Sequence, residues 1–379
     1  MVKKIIITAF AAALILSQQN FISAQKRLPV IKATSETVDI REDNLLMEGK
    51  WRIAPDVNPD ILESSAKKVT FYTDIDSISF DIAPQGVYDF VVLLNGKDSA
   101  YTQIRHVASY LEKLKKAHEY NINDNRTIPE FSYQPMDHPD LVKVRQTLKL
   151  DSIAGEGSEI LQILNLMHWL HNTIRHDGSS NNPINRNAID LINVCKVENR
   201  GVNCRMLATI LNECYLAMGF KSRFITCMPR ETEFDDCHVI NMVYSNSLRK
   251  WIWIDPSFDA YVMDEKGELL GPEEVRDRLI TGKPLILNPD ANWNRQQAQI
   301  KEEYLEKYMA KNLYRIEAIA CSKYDTETRT SGKEITYIEL LPLDGIEQLP
   351  QRDEFHNKET NVTTTNYKTN NPKLFWAKP

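Results

Sequence analysis

Three residue types in this chain, taken in order, make up a nucleophile, a base and an orienting acid: Cys204, His238 and Asp255. Cys204 opens an apolar-periodic run. A thiol at a helix N-terminus feels the positive end of the helix dipole, which favours the thiolate. His238 begins one strand-like run and Asp255 closes the next. The two runs join across Ser245–Arg249, and a two-residue turn at Asn246-Ser247 would set His238 opposite Asp255 with both side chains on one face. A turn centred half a residue away would put them on opposite faces, so the pairing depends on register. A thiolate beside an imidazole that a carboxylate orients is an arrangement suited to covalent acyl transfer.

The other chemistry-bearing residues read as structural. Cys214 shares a helical stripe with Leu207, Leu211 and Met218 and reads as a buried thiol. Cys195, Cys227, Cys237 and Cys321 also read as structural; a disulfide between Cys227 and Cys237 would close the polar stretch Pro229–Asp236 at its base. Those two with His238 match no common zinc spacing. His168, His171 and His176 lie on or just after an earlier helix. His168 and His171 share a face, but no carboxylate-bearing zinc motif accompanies them, so they read as a polar helix face. Asp235-Asp236 reads as a solvated loop. No cofactor and no metal is expected.

Helical spacing of Ile160, Leu164, Met167, Leu170 and Ile174 predicts a helix over 157–175, and Cys204 to Met218 predicts a second, with Gly219 as its C-terminal cap. Strands are expected at Phe220–Met228, His238–Ser245 and Lys250–Ile254, with late strands at Leu313–Cys321 and Ile335–Leu341. Residues 272–310 read as mostly helical with a proline break. Upstream, 66–105 alternates at period two and carries the hairpin signal Asn95-Gly96. Residues 106–120 read as a short charged helix, 121–140 as a linker, and the polar stretch from about Gln351 as poorly ordered.

Gly201-Val202-Asn203-Cys204-Arg205-Met206-Leu207-Ala208, then Met218-Gly219-Phe220-Lys221-Ser222-Arg223, resembles the Cys helix of the transglutaminase-like superfamily. His238-Val239-Ile240-Asn241-Met242-Val243 resembles its His strand, and Trp251-Ile252-Trp253-Ile254-Asp255-Pro256-Ser257 its Asp-Pro-Ser strand end. The resemblance covers roughly 157–258. The chain departs from the pattern in placing Gly201 three residues before the Cys and Ile240 where an aromatic is frequent, and no motif identifies the second oxyanion donor beside the Cys204 N–H. The resemblance implies an α+β fold, a papain-like core with the Cys helix packed on an antiparallel sheet. It implies Cys204, His238 and Asp255 as catalytic residues and amide chemistry through a thioester on a protein or peptide substrate. Hydrolysis is favoured over transfer to an amine, since many bacterial members look like hydrolases. An inactive binding module on the same fold and a structural role in which Cys204 is disulfide-bonded are the remaining alternatives.

The 379 residues accommodate two domains, read as a signal segment at 1–24, a β-rich N-terminal domain at 25–120, the transglutaminase-like domain at 121–345 and a polar C-terminal tail at 346–379. Lys3 and Lys4, the apolar run Ile5–Leu16 and Phe21-Ile22-Ser23-Ala24 form a secretory signal pattern cleaved after Ala24. The run is shorter than the about 20 apolar residues of a helical span, so the expected product is soluble, exported to periplasm or exterior, with no stable membrane insertion. A net charge of −6, without a basic stripe, argues against nucleic acid as a partner. The oligomeric state is not legible.

Overall fold

The computed structural model describes residues 27–234 and 236–379. The expected leader at 1–24 and Asp235 lie outside the described residues. The chain divides into two compact units, one ending at Val107 and one running from Ala108 to Pro379.

In the first unit, two four-stranded sheets carry the period-two pattern. One orders Val30–Ala33, Val87–Leu94, Asp98–His106 and Asp60–Ser64; the other orders Leu45–Arg52, Thr37–Glu42, Lys68–Tyr72 and Ser77–Asp81. Alternate side chains from both, among them Ile40, Phe71, Phe90, Val92 and Ile104, share one core, and Phe71 meets Phe90 edge-on at 5.0 Å across the sheets. The strands begin at Val30, well before the predicted 66. Val30–Ala33 is only four residues long, and Leu45–Arg52 has no fully buried position and so carries no in–out alternation to read.

The second unit is built on a seven-stranded sheet in the order Lys250–Ile254, His238–Ser245, Ser222–Met228, Arg315–Ile319, Glu334–Leu340, Val362–Thr369, Arg352–Asn357. All pairs are antiparallel except Glu334–Leu340 with Val362–Thr369. Both faces are covered, which is why its central strands read as continuous apolar runs. On one face Val243, Ile252 and Ile254 pack against the Cys helix (Cys204–Ala217) and the helices Glu159–Thr173 and Ala188–Val197. On the other, Ile240, Met242, Trp251 and Trp253 pack against the helix Pro272–Thr281 and a π-helix at Glu302–Met309. The predicted α+β fold, with the Cys helix lying on the sheet, is what the chain adopts.

Two expectations, and one alternative left open, differ from the structure. The stretch from Gln351 is not a loose tail but two strands and a short helix, Pro372–Phe375. Val362–Thr369 is rich in β-branched threonine, and pairing with Glu334–Leu340 along its whole length gives that propensity a ladder. The division between units falls before the helix Tyr110–Lys115, not near 120, because Leu114 is buried in the second unit's core. All six cysteines are free, so Cys227 and Cys237 do not close a disulfide. Cys227 is instead fully buried within the sheet core.

Candidate active site

The Cys helix begins at Cys204 because Asn203 caps it, accepting from the Met206 N–H at 3.1 Å. The first-turn N–H groups of a helix lack intrahelical carbonyl partners, so the Cys204 backbone donor is left without one. Gly201, three residues ahead, is there for space. A Cβ at that position would meet the Arg175 carbonyl oxygen at 2.6 Å and the Asp177 Cβ at 2.8 Å. That close approach lets 175–177 pair with Val202, through Val202 N–H to Arg175 O at 3.1 Å and Asp177 N–H to Val202 O at 2.8 Å.

His238 and Asp255 come from neighbouring strands. The hairpin registers Asn241 with Ile254 and Ser245 with Lys250, closing through the four residues Asn246–Arg249 rather than a two-residue turn. The predicted direct pairing is therefore off by two residues. A shift of two preserves the face, and the two side chains meet diagonally, His238 Nε2 lying 2.6 Å from Asp255 Oδ2. Glu159, at the start of its helix, fixes this turn. Its carboxylate accepts from the Asn246 and Ser247 N–H groups at 2.8 and 2.9 Å and from the Ser245 and Ser247 hydroxyls.

Asp255 is fully buried, and burial works against its charge. Its pKa is nevertheless held below the usual carboxylate value by the His238 ring, by the Tyr304 hydroxyl at 2.6 Å and by the Ser257 N–H at 2.9 Å. Asp255 in turn raises the His238 pKa against the opposing effect of burial. Cys204 is part-exposed at the mouth. Burial disfavours its thiolate, but hydrogen bonds from His176 and His238, with the His238 charge, outweigh burial and bring the thiol down to about 6. His238 is the first residue of its strand, at the end of the sheet. There Cys204, from the layer on the opposite face, reaches the ring.

His176 is an addition that sequence reasoning missed. It is not part of a polar helix face: it lies beyond the helix, in the segment paired to Val202, and its ring reaches the Cys204 thiol. Its Nδ1 accepts from the Trp293 indole at 3.2 Å, which assigns the proton to Nε2. Asn294 clamps the His176 backbone, accepting from its N–H at 2.7 Å and donating to its carbonyl at 2.9 Å. His171 is likewise buried rather than solvent-facing. It bridges the Pro256 carbonyl at 3.0 Å and Asn292 Oδ1 at 2.9 Å, and so props the Asp255 turn against the loop that carries Trp293. His168 does face solvent and pairs with Asp259 at 2.7 Å. Among the described residues no cluster of three or more His, Cys, Asp or Glu could hold a metal ion.

Residues 146–256 match the model of the transglutaminase-like superfamily, a span that encloses Cys204, His238 and Asp255. Over that span, under a third of the chain, the sequence is similar to the transglutaminase-like superfamily. A crystal structure from Cytophaga hutchinsonii described as "a Putative Cysteine Protease" is similar at 17% identity over 42% of this chain and 57% of that one, with a TM-score of 0.25. This chain thus covers just over half the length of that structure's chain. No curated protein matches. Trp293, Tyr304 and Tyr308 reach the site from beyond the matched span. Their apolar, aromatic character reads as core in the sequence, and only the paired placement of Tyr304 and Tyr308, four apart in a helical stretch, carries a faint signal. Ile240, the departure two residues after the His, is fully buried in the core beneath the sheet and forms no part of the mouth.

Proposed function

We propose that the protein is an exported cysteine hydrolase that cleaves amide bonds of proteins or peptides through a Cys204 thioester. The observation that carries this reading is a thiol held down to about 6 at a helix N-terminus, bonded to a histidine whose other ring nitrogen lies 2.6 Å from a buried carboxylate.

In this reading the Cys204 thiolate attacks the amide carbonyl. The developing oxyanion accepts from the Cys204 N–H and from His176 Nε2–H, the tautomer that Trp293 enforces. His238 Nδ1–H protonates the leaving nitrogen and the C–N bond breaks, leaving the thioester. Water then attacks, giving its proton to Nδ1; the C–S bond breaks, the acid departs and the thiolate is restored. Asp255 keeps Nε2–H oriented throughout. Water as acceptor rests on the family resemblance. Export rests on the Lys3, Lys4 and Ile5–Leu16 pattern; among the described residues no helix is long and apolar enough to cross a membrane.

The test is iodoacetamide labelling of the non-reduced protein over pH 4–9, read by peptide mass spectrometry, followed by a screen of peptide and side-chain amides with and without a primary amine. Labelling confined to Cys204 and half-maximal near pH 6, with turnover abolished in Cys204→Ala, is expected. Labelling no faster than an ordinary thiol, with its pKa near about 8.5, would remove the assignment. Product carrying the added amine in place of free acid would make the enzyme a transamidase.

A further inference from the structure

Asp255 occupies Nε2 of His238, so Nδ1 is the ring nitrogen left to face the reacting sulfur. A second group points at that same nitrogen. The Tyr308 hydroxyl lies 3.4 Å from Nδ1, and its ring stands edge-on to the imidazole at 5.3 Å. Tyr308 comes from the π-helix Glu302–Met309, which also supplies Tyr304 to Asp255. Such wide turns recur at functional sites. Here one wide turn sends two phenols to one histidine–aspartate pair, Tyr304 to the aspartate and Tyr308 to the histidine.

Nδ1 has one position for a proton. With a neutral thiol and imidazole, Nδ1 presents a lone pair that the Tyr308 O–H can donate to. When the proton moves from sulfur to Nδ1, the new N–H turns to the thiolate and the phenol loses its acceptor. Tyr308 therefore favours the state in which Nδ1 is unprotonated. That state recurs after acylation, when the leaving amine has taken the proton and the esterified sulfur no longer bonds to Nδ1.

The other groups around His238 act elsewhere. Asp255, backed by Tyr304, bonds to Nε2, and His176 bonds to the sulfur. Cys237 adjoins His238 in the chain and Cys227 lies opposite it across the strands. Phe258 contributes an apolar ring. Lys311 lies over the Tyr308 ring at 5.3 Å and pairs with Asp236.

We propose that Tyr308 is a positioning residue that competes with the Cys204 thiol for Nδ1 of His238, restraining the thiolate–imidazolium pair and holding the neutral imidazole in place once the sulfur is acylated. The inference rests on the assignment of Cys204 and His238 as nucleophile and base.

The experiment is the pH profile of iodoacetamide labelling at Cys204 in the full chain, comparing wild type with Tyr308→Phe, and with circular dichroism as the check on fold. The phenylalanine keeps the ring and removes the hydroxyl. Loss of one such hydrogen bond moves the inflection to lower pH by about half to one unit. Tyr308→Leu gives the same direction if the phenylalanine variant folds poorly. An inflection that stays in place, or moves to higher pH, in folded variants overturns the proposal while leaving the nucleophile assignment intact. A wild-type Cys204 that labels as an ordinary thiol overturns both.

Discussion

At the scale of single residues, the site is a chain of donors and acceptors in which each group fixes the next. Tyr304 and Ser257 hold Asp255, Asp255 holds His238, and His238 and His176 hold the Cys204 sulfur. Asp255→Asn replaces the acceptor at Nε2 with an amide that can turn a donor toward the ring. Turnover on an amide substrate should fall by about two to four orders of magnitude while Cys204 keeps part of its reactivity; an unchanged rate would mean another group orients His238. His176→Ala removes the proposed second oxyanion donor and should cost about 10²–10³ in kcat at an unchanged circular dichroism spectrum. Trp293→Phe should show a smaller loss in the same direction, because it frees the His176 tautomer without removing the ring. The pH profile follows from the Cys204 shift. Its folded value lies below that of an ordinary thiol, so the thiolate is present above about 6 and is lost as pH falls through that value.

At the scale of elements, the hairpin that carries His238 and Asp255 depends on a residue from another helix. Burial disfavours the charge on Glu159. The hydrogen bonds from Ser247, Asn246 and Ser245 nevertheless win and hold its carboxyl down to about 2. A carboxyl whose folded value is below its unfolded one stabilises the fold above the unfolded value and loses that contribution as pH falls toward the folded value. Glu159→Ala should lower stability at neutral pH by about 1–2 kcal/mol, a figure reduced for solvent screening at a part-exposed site, and should flatten the acid limb of the stability curve between about pH 4.5 and 2. Urea melts of the two proteins at pH 7 and pH 3 measure both effects. A wild-type-like acid limb in the variant would place the source of acid sensitivity elsewhere.

At the scale of the molecule, the last 29 residues, 351–379, complete the second unit rather than trail from it. They supply two strands of the large sheet. They also cover Arg223, a fully buried cation whose pKa burial lowers to about 10. Its guanidinium sits 3.5 Å above the Phe131 ring and donates to the Phe375 carbonyl at 2.8 Å. Trp251 also donates to the Trp376 carbonyl at 3.2 Å. Truncation after Pro350 would expose a sheet edge and leave Arg223 without its only hydrogen-bond acceptor among the described residues. The expected outcome is loss of a cooperative thermal transition by calorimetry. A truncated chain that melts as wild type does would show the two terminal strands to be dispensable.

Elements whose signal is local are legible in the order of residues alone. Apolar spacing marks the helix that opens at Cys204, and the strands His238–Ser245 and Lys250–Ile254 stand at their expected bounds. The shared face of His238 and Asp255 was also legible, because strand side chains alternate with period two and the true register differs from the expected one by an even step. The rest depends on how the layers pack. That packing set the hairpin loop length through Glu159, brought His176 to the Cys204 sulfur and Trp293 to the His176 ring, and turned the polar C-terminal stretch into sheet. None of these has a period or a motif. Each depends on which distant backbone offers a hydrogen-bond partner, and that is fixed only when the layers pack.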